Sequence, residues 1–241
     1  MYPKKSEEFY EQKYRTEGEP WGYAKFAVEV LRHEFVINTA KALKPNYVRV
    51  LDVGCGKGHL TFRLNGLAAE VVGIDVSKTA VEQSALFAEN LTSDKNATKF
   101  QFVTKNILTA DFPDNHFDLI LLCDGIEEWF SNDEEKMEAL KNANKFLKPG
   151  GYAILSDYQK PHHFEYFISF INKSPLKVQK SFPLNDRLCY QFYSWLKMGA
   201  NLKIVKQLFA SRSIAKVLVK ISSWLGKKGS KHICVVAQKA N

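Results

Sequence analysis

The stretch Val50-Leu51-Asp52-Val53-Gly54-Cys55-Gly56-Lys57-Gly58 places three glycines at alternate positions directly after a short apolar run. Glycine lets the backbone turn tightly and lets a ligand approach the main chain. A helix read from His59 to Leu67 would then offer its free N–H groups to an anionic group. Asp75 closes the next apolar run, about twenty residues on, where a carboxylate accepts hydrogen bonds from both hydroxyls of a ribose. Strand, glycine loop, helix, strand and acid together make a nucleoside-binding half-site. The loop reads G-x-G-x-G rather than G-x-G-x-x-G, in which the last glycine packs the helix on the sheet, so a pyrophosphate site is disfavoured.

These residues resemble a known family. Asp52 to Gly58 resembles the first motif of the class I S-adenosylmethionine-dependent methyltransferases, and Val72-Gly73-Ile74-Asp75-Val76-Ser77 resembles their second. Phe117-Asp118-Leu119-Ile120 is similar to their fourth-strand motif, and Leu147-Lys148-Pro149-Gly150-Gly151 to the turn before the fifth strand. The four motifs stand in the family's order between Val48 and Asp157. Pro20-Trp21-Gly22-Tyr23, with the helix after it, is similar over a shorter span to the nodulation protein S N-methyltransferase branch.

The resemblance implies S-adenosyl-L-methionine as cofactor, with contacts at the matched positions. Gly54, Cys55, Gly56 and Gly58 would line its methionine part, with Asp52 near the amino group. Asp75 would hold the ribose, beside Val76. Asn106 would meet the adenine amino group or simply close a turn, and Ile107 would add a backbone N–H and an apolar face. Cys123 and Asp124 would stand next to the transferred methyl group. Trp21 would fold over the cofactor as part of a lid, where an aromatic face also favours a sulfonium. Arg32 would pair with the methionine carboxylate or remain a solvated helix charge.

Methyl transfer from a sulfonium is an in-line displacement in which positioning supplies much of the acceleration. An oxygen acceptor usually needs a base, and a nitrogen acceptor must be neutral. Candidate catalytic bases follow the fourth and fifth strands: Asp124 first, then Glu127, Asp157, and His162 or its neighbour His163. No clustered acidic set suggests a metal. Cys123-Asp124-Gly125-Ile126 stands where methyltransferases of exocyclic base nitrogens carry Asn/Asp-Pro-Pro-aromatic, so nucleic acid is not the expected acceptor. A small molecule is. Two alternatives stand beside this reading: an NAD(P)-dependent oxidoreductase, and a methyltransferase-like protein docking on a membrane or RNA.

The elements that must position these residues alternate. Strands are read at 48–53, 70–74, 100–105, 117–122 and 152–155, and helices at 77–90 and 132–146, the pattern of parallel βαβ units. The expected fold is α/β: a Rossmann-like, doubly wound, seven-stranded sheet, mostly parallel with the last strand antiparallel. The last two strands are read at 202–209 and 232–237. A helical lid over 1–45 precedes the cofactor-binding core, 46–157. An aromatic, proline-bearing cap insertion, 158–187, follows the fifth strand, and a basic part, 188–241, completes the sheet.

Composition fits a single domain of 241 residues, 45% hydrophobic and 25% charged. No apolar run approaches the ~18 residues of a membrane span, and the charged N-terminus lacks a signal-peptide core. The four cysteines, Cys55, Cys123, Cys189 and Cys234, lie far apart, so a reducing cytoplasm is expected. Net charge is +8, but from Arg187 onward there are eleven Lys/Arg and no Asp/Glu, while the first 186 residues net −3. Such asymmetry marks an anionic partner or a solvated face. An amphipathic helix at 213–225 opens a stretch, 213–231, suited to peripheral membrane contact, unless its apolar face packs on the sheet. The oligomeric state is not encoded in any motif.

Overall fold

The computed structural model describes residues 6–90, 98–197 and 207–240. Seven strands form one sheet: β1 (Tyr47–Val53), β2 (Ala68–Asp75), β3 (Lys99–Thr104), β4 (Phe117–Cys123), β5 (Leu147–Tyr158), β6 (Leu176–Leu184) and β7 (His232–Lys239). Their order is β3-β2-β1-β4-β5-β7-β6. Strands β1 to β5 pair in parallel, and β7 runs antiparallel to both β5 and β6. The central strands are mostly apolar because both of their faces are covered. Leu119 to Leu122 of β4 are fully buried.

Helices supply the two covers. On one face, α5 (Asp133–Phe146) and α6 (Phe164–Lys173) pack Leu140, Phe146, Phe164 and Phe167 against Leu51, Ile74, Ile120 and Leu155. On the other, α2 (Ala27–Leu43) packs Val36, Ile37 and Ala40 against Val50, Val71, Leu119 and Ile154. The outer end of α2 joins α7 (Arg187–Lys197) and α8 (Arg212–Ser223) in a smaller cluster around Ala27, Val28, Cys189, Tyr193 and Ala215. Side-chain caps fix the helix starts: Ser77 on α3 (Lys78–Glu89), Asn132 on α5 and Ser211 on α8. Helix α1 (Glu7–Glu17) lies against α3, and a single turn, α4 (Ile126–Trp129), follows β4.

Three local readings change. After the glycine loop there is no α-helix from 59 to 67, only a 3₁₀ turn, Thr61–Leu64. Gly58 and Gly66, both at positive φ, bound this segment on either side. The sixth strand is Leu176–Leu184, inside the segment read as a cap. Of the strand read at 202–209, residues 207–209 are helical and 202–206 lie outside the described residues. Helix α8 packs on α2 and α7 rather than on the sheet.

Candidate active site

The parallel strands end along one rim, and a cavity of about 560 Å³ opens there. Each strand end contributes: Val53 and Gly54 after β1, Asp75 and Val76 at β2, Lys105 to Leu108 after β3, Cys123 and Asp124 at β4, Asp157 and Tyr158 at β5. Ligands of open α/β sheets lie at this edge. Helix α1 roofs it with Ser6, Glu7, Tyr10 and Tyr14, and Trp21 continues the roof. The lid is held down by Glu11. Its carboxylate accepts from Ser77 Oγ (2.7 Å), Thr79 Oγ1 (2.6 Å) and Thr79 N (3.1 Å) at the start of α3.

The glycine loop works through backbone shape. Gly54, Gly56 and Gly58 all have φ between +51° and +76°, a region L-residues disfavour. A β-carbon on Gly54 would run into the Trp129 ring, and one on Gly56 into the Tyr14 hydroxyl. Only Gly54 of the loop lines the cavity. Cys55, Gly56 and Gly58 turn behind it, and the Cys55 side chain is buried. Gly56 N donates to Asp75 Oδ2 and Ser77 N to Asp75 Oδ1, both at 2.9 Å. Burial raises the Asp75 carboxyl, and these two N–H groups oppose the rise.

Asp52 is the first correction. It does not line the cavity but sits under the loop, accepting from Thr61 Oγ1 at 2.6 Å. Burial pushes its carboxyl up to about 7, with the charges of Asp75 and Asp124 adding. Arg32 is the second. It is neither solvated nor free, for its guanidinium pairs with Glu29 and with both oxygens of Asp124. Glu29 also accepts from Tyr190 Oη.

Asp124 is therefore a poor base. Burial opposes its charge, but the charge of Arg32 and its hydrogen bonds outweigh it, with His33 Nε2 3.9 Å away, and hold the carboxyl far below the usual range. Its φ of +68° sets it in the left-handed region. His162 is exposed on a 3₁₀ turn against His163 and does not line the cavity. Asp157 does line it, 2% exposed, accepting from Glu127 N (2.9 Å) and Tyr158 N (2.8 Å). Burial, with the nearby charges of Asp124 and Glu127, pushes Asp157 up to about 8.

Asn106 lines the cavity, but its side chain is engaged: Oδ1 accepts from Leu108 N at 2.9 Å and Nδ2 donates to Glu7 at 2.7 Å. The turn reading is realised. Cys123 is a buried wall residue whose thiol burial pushes well above its ordinary value, so it is no nucleophile. Tyr10, Tyr14, Trp129, Tyr190 and His232 also line the cavity, unforeseen in the sequence. Glu7, Tyr10, Glu11 and Tyr14 share one helical face, a spacing that signals a working surface. Nothing local marks Trp129 or Tyr190.

Comparison with known proteins agrees with this geometry. The methyltransferase domain family matches residues 44–222. The ubiquinone/menaquinone biosynthesis C-methyltransferase UbiE of a Shewanella species is 32% identical over 120 residues, 48% of this chain and 45% of that protein. The chain thus matches about half the length of such curated relatives. The uncharacterized methyltransferase YcgJ of Bacillus subtilis is 26% identical over 219 residues, 82% of this chain and 78% of its own. Among solved structures, the N-methyltransferase NodS of Bradyrhizobium japonicum, in complex with S-adenosyl-L-homocysteine, superposes with a TM-score of 0.66 at 13% identity. That match covers 96% of this chain and 99% of NodS. The [4+2]-cyclase SpnF superposes at 0.61 and 18% identity, over 86% and 80%, so the fold alone does not fix a reaction. The glycine loop, the strand-end rim and a family match over most of the chain place this protein in the methyltransferase domain family.

Proposed function

We propose that the chain transfers a methyl group from S-adenosylmethionine to a small-molecule acceptor. One observation carries the reading: the rim cavity joins the Gly54 turn, the Asp75 carboxylate and an aromatic roof in a single space. The residues present fit that cofactor. Each Asp75 oxygen keeps a lone pair beyond its backbone N–H, enough for two ribose hydroxyls. Tyr10 Oη is cut off from solvent and has no hydrogen-bond partner among the described residues. The single 3₁₀ turn after the loop gives a pyrophosphate no helix N-terminus, which disfavours a dinucleotide. S-adenosylmethionine carries no phosphate.

Bound there, the cofactor supplies a methyl group on a sulfonium that is already a good leaving group. The chain's part is to hold the acceptor in line and to receive a proton. We assign the proton to Asp157, because Arg32 holds Asp124 ionised and far below the range of a useful base. Eight acidic side chains line the cavity among Tyr23, Trp129, Tyr158 and Tyr190. Arg32 offsets Glu29 and Asp124, Lys136 offsets Glu127, and Asp157 is raised to about 8; the other acids with Lys105 leave the wall acidic. Such a wall favours an amine acceptor over an anionic one. Calorimetric titration with S-adenosylhomocysteine, with NADH as control, tests the cofactor. Micromolar binding of the first alone is expected, and binding of NADH alone overturns the reading. Asp75→Ala should weaken S-adenosylhomocysteine by at least ~1.5 kcal/mol, the scale of a lost charge-assisted hydrogen bond. Unchanged affinity would remove Asp75 from the ribose site.

A further inference from the structure

Helix α8 has two apolar stripes, and only one of them is used. Ala215 and Ser222 are buried, and Leu218 and Val219 pack on the cluster shared with α2 and α7. Val217, Ile221 and Trp224 form a second stripe at i, i+4 and i+7, continued by Leu225. They are 58%, 39%, 78% and 52% exposed. Four of the nine large exposed apolar side chains among the described residues thus fall within 217–225. Burying a tryptophan and three aliphatic side chains out of water is favourable, and a contiguous exposed stripe of this kind is what a docking surface requires.

Charge says which partner. Lys216 and Lys220 flank the stripe, and Lys227 and Lys228 follow it, all exposed. Arg212 pairs with Glu34 and Lys227 with Glu165. Lys216, Lys220 and Lys228 have no ion pair among the described residues. No acid occurs after Asp186, so two copies of the face would bring lysine onto lysine. Nucleic acid would meet the lysines but give Val217, Ile221 and Leu225 nothing apolar. A bilayer with anionic headgroups satisfies both halves: acyl chains take the stripe, phosphates take the lysines. No described helix is long and apolar enough to cross a membrane, so the contact is a surface one.

We infer that the outer face of α8, from Val217 to Lys228, docks the protein on an anionic lipid surface. The chain leads from this face to the cavity wall at Tyr158 and Tyr190. The 3₁₀ turn Gly226–Gly229 leads from it to Lys231, whose Nζ lies 5.5 Å from the ring centres of both Tyr158 and Tyr190. Arg187 Nη1 donates to Lys228 O at 2.9 Å.

The test is co-sedimentation of the full chain with phosphatidylcholine vesicles, with and without about one third phosphatidylglycerol. Binding to the anionic vesicles alone is expected, weakening steeply between about 0.1 and 0.5 M salt. Trp224→Ser with Leu225→Ser, and separately Lys216→Glu with Lys220→Glu, should each weaken partition at least about tenfold. Both variants lie at exposed positions; an unchanged far-ultraviolet dichroism and S-adenosylhomocysteine affinity show that they are folded. Absent vesicle binding, or binding that both variants retain, overturns the inference. So does a dimer in sedimentation that Trp224→Ser dissociates, which assigns the face to a second copy. Salt-steep RNA binding without vesicle binding overturns it in favour of nucleic acid.

Discussion

Two aspartates on one cavity wall are driven in opposite directions by their neighbours. Asp124 faces a guanidinium and is held ionised; Asp157 is pushed up to about 8 by burial without a cation, with the charges of Asp124 and Glu127 adding. A base must be deprotonated to accept a proton, so turnover should rise with pH through about 8 and level above it. Asp157→Asn should lower kcat/KM by about a hundredfold or more and flatten that limb. A variant that keeps the wild-type profile removes Asp157 as the base. The Arg32 cluster carries a different expectation. Arg32→Met leaves Glu29 and Asp124 buried without their cation, which costs about 3–5 kcal/mol of stability by urea denaturation. Adding Asp124→Asn should recover part of that loss, because a neutral amide needs no counter-charge. Of these roles, the sequence showed the residue types and positions. It could not show the pairing, because Arg32 and Asp124 lie 92 residues apart.

At the scale of elements, the lid rests on few contacts. Glu11 holds α1 to the first turn of α3, and Glu7 holds it to Asn106. Thr79, burial and Ser77 act on Glu11 in that order, and its carboxyl is lowered overall, so the latch is charged at neutral pH. Glu11→Ala should speed amide hydrogen exchange across 7–17 while exchange in β1 and β4 stays unchanged. Equal protection of 7–17 in the variant would show that other contacts hold the lid. The strands β1, β2 and β4 are legible because burial on both faces writes short, mostly apolar runs. Strand β6 was not. It is an edge strand, half exposed, and Pro183 within it reads as a loop signal; an edge tolerates proline because one side of its ladder is unpaired. The 3₁₀ turn was misread as a helix because Leu60, Leu64 and Leu67 keep helical spacing, while Gly58 and Gly66 at positive φ limit the turn.

Across the whole molecule, folding gathers acids that the chain keeps apart. Asp52, Asp75, Asp124 and Asp157 stand at the carboxyl ends of β1, β2, β4 and β5, along one rim. Only Asp124 has a buried cation. The other three are raised above the ordinary carboxyl value of 3.8, Asp52 to about 7 and Asp157 to about 8. Between about pH 4 and 8 the native state therefore holds protons that the unfolded state has released, and stability falls as pH rises through that window. Asp124 acts oppositely: its lowered carboxyl contributes stability above the unfolded value and loses it as pH falls below about 4. Stability should peak at mildly acidic pH. Denaturation at pH 6 and pH 8.5 should differ by at least about 1 kcal/mol in favour of pH 6. Asp52→Asn should narrow the gap, since an amide does not titrate. An equal or greater stability at pH 8.5 would show that these carboxyls ionise freely in the folded state. The deprotonated Asp157 that the reaction needs is thus the form the fold tolerates least, and a cationic ligand in the rim cavity relieves the same repulsion. Activity and stability should then move in opposite directions between pH 6 and 8.5, because Asp157 takes part in both titrations.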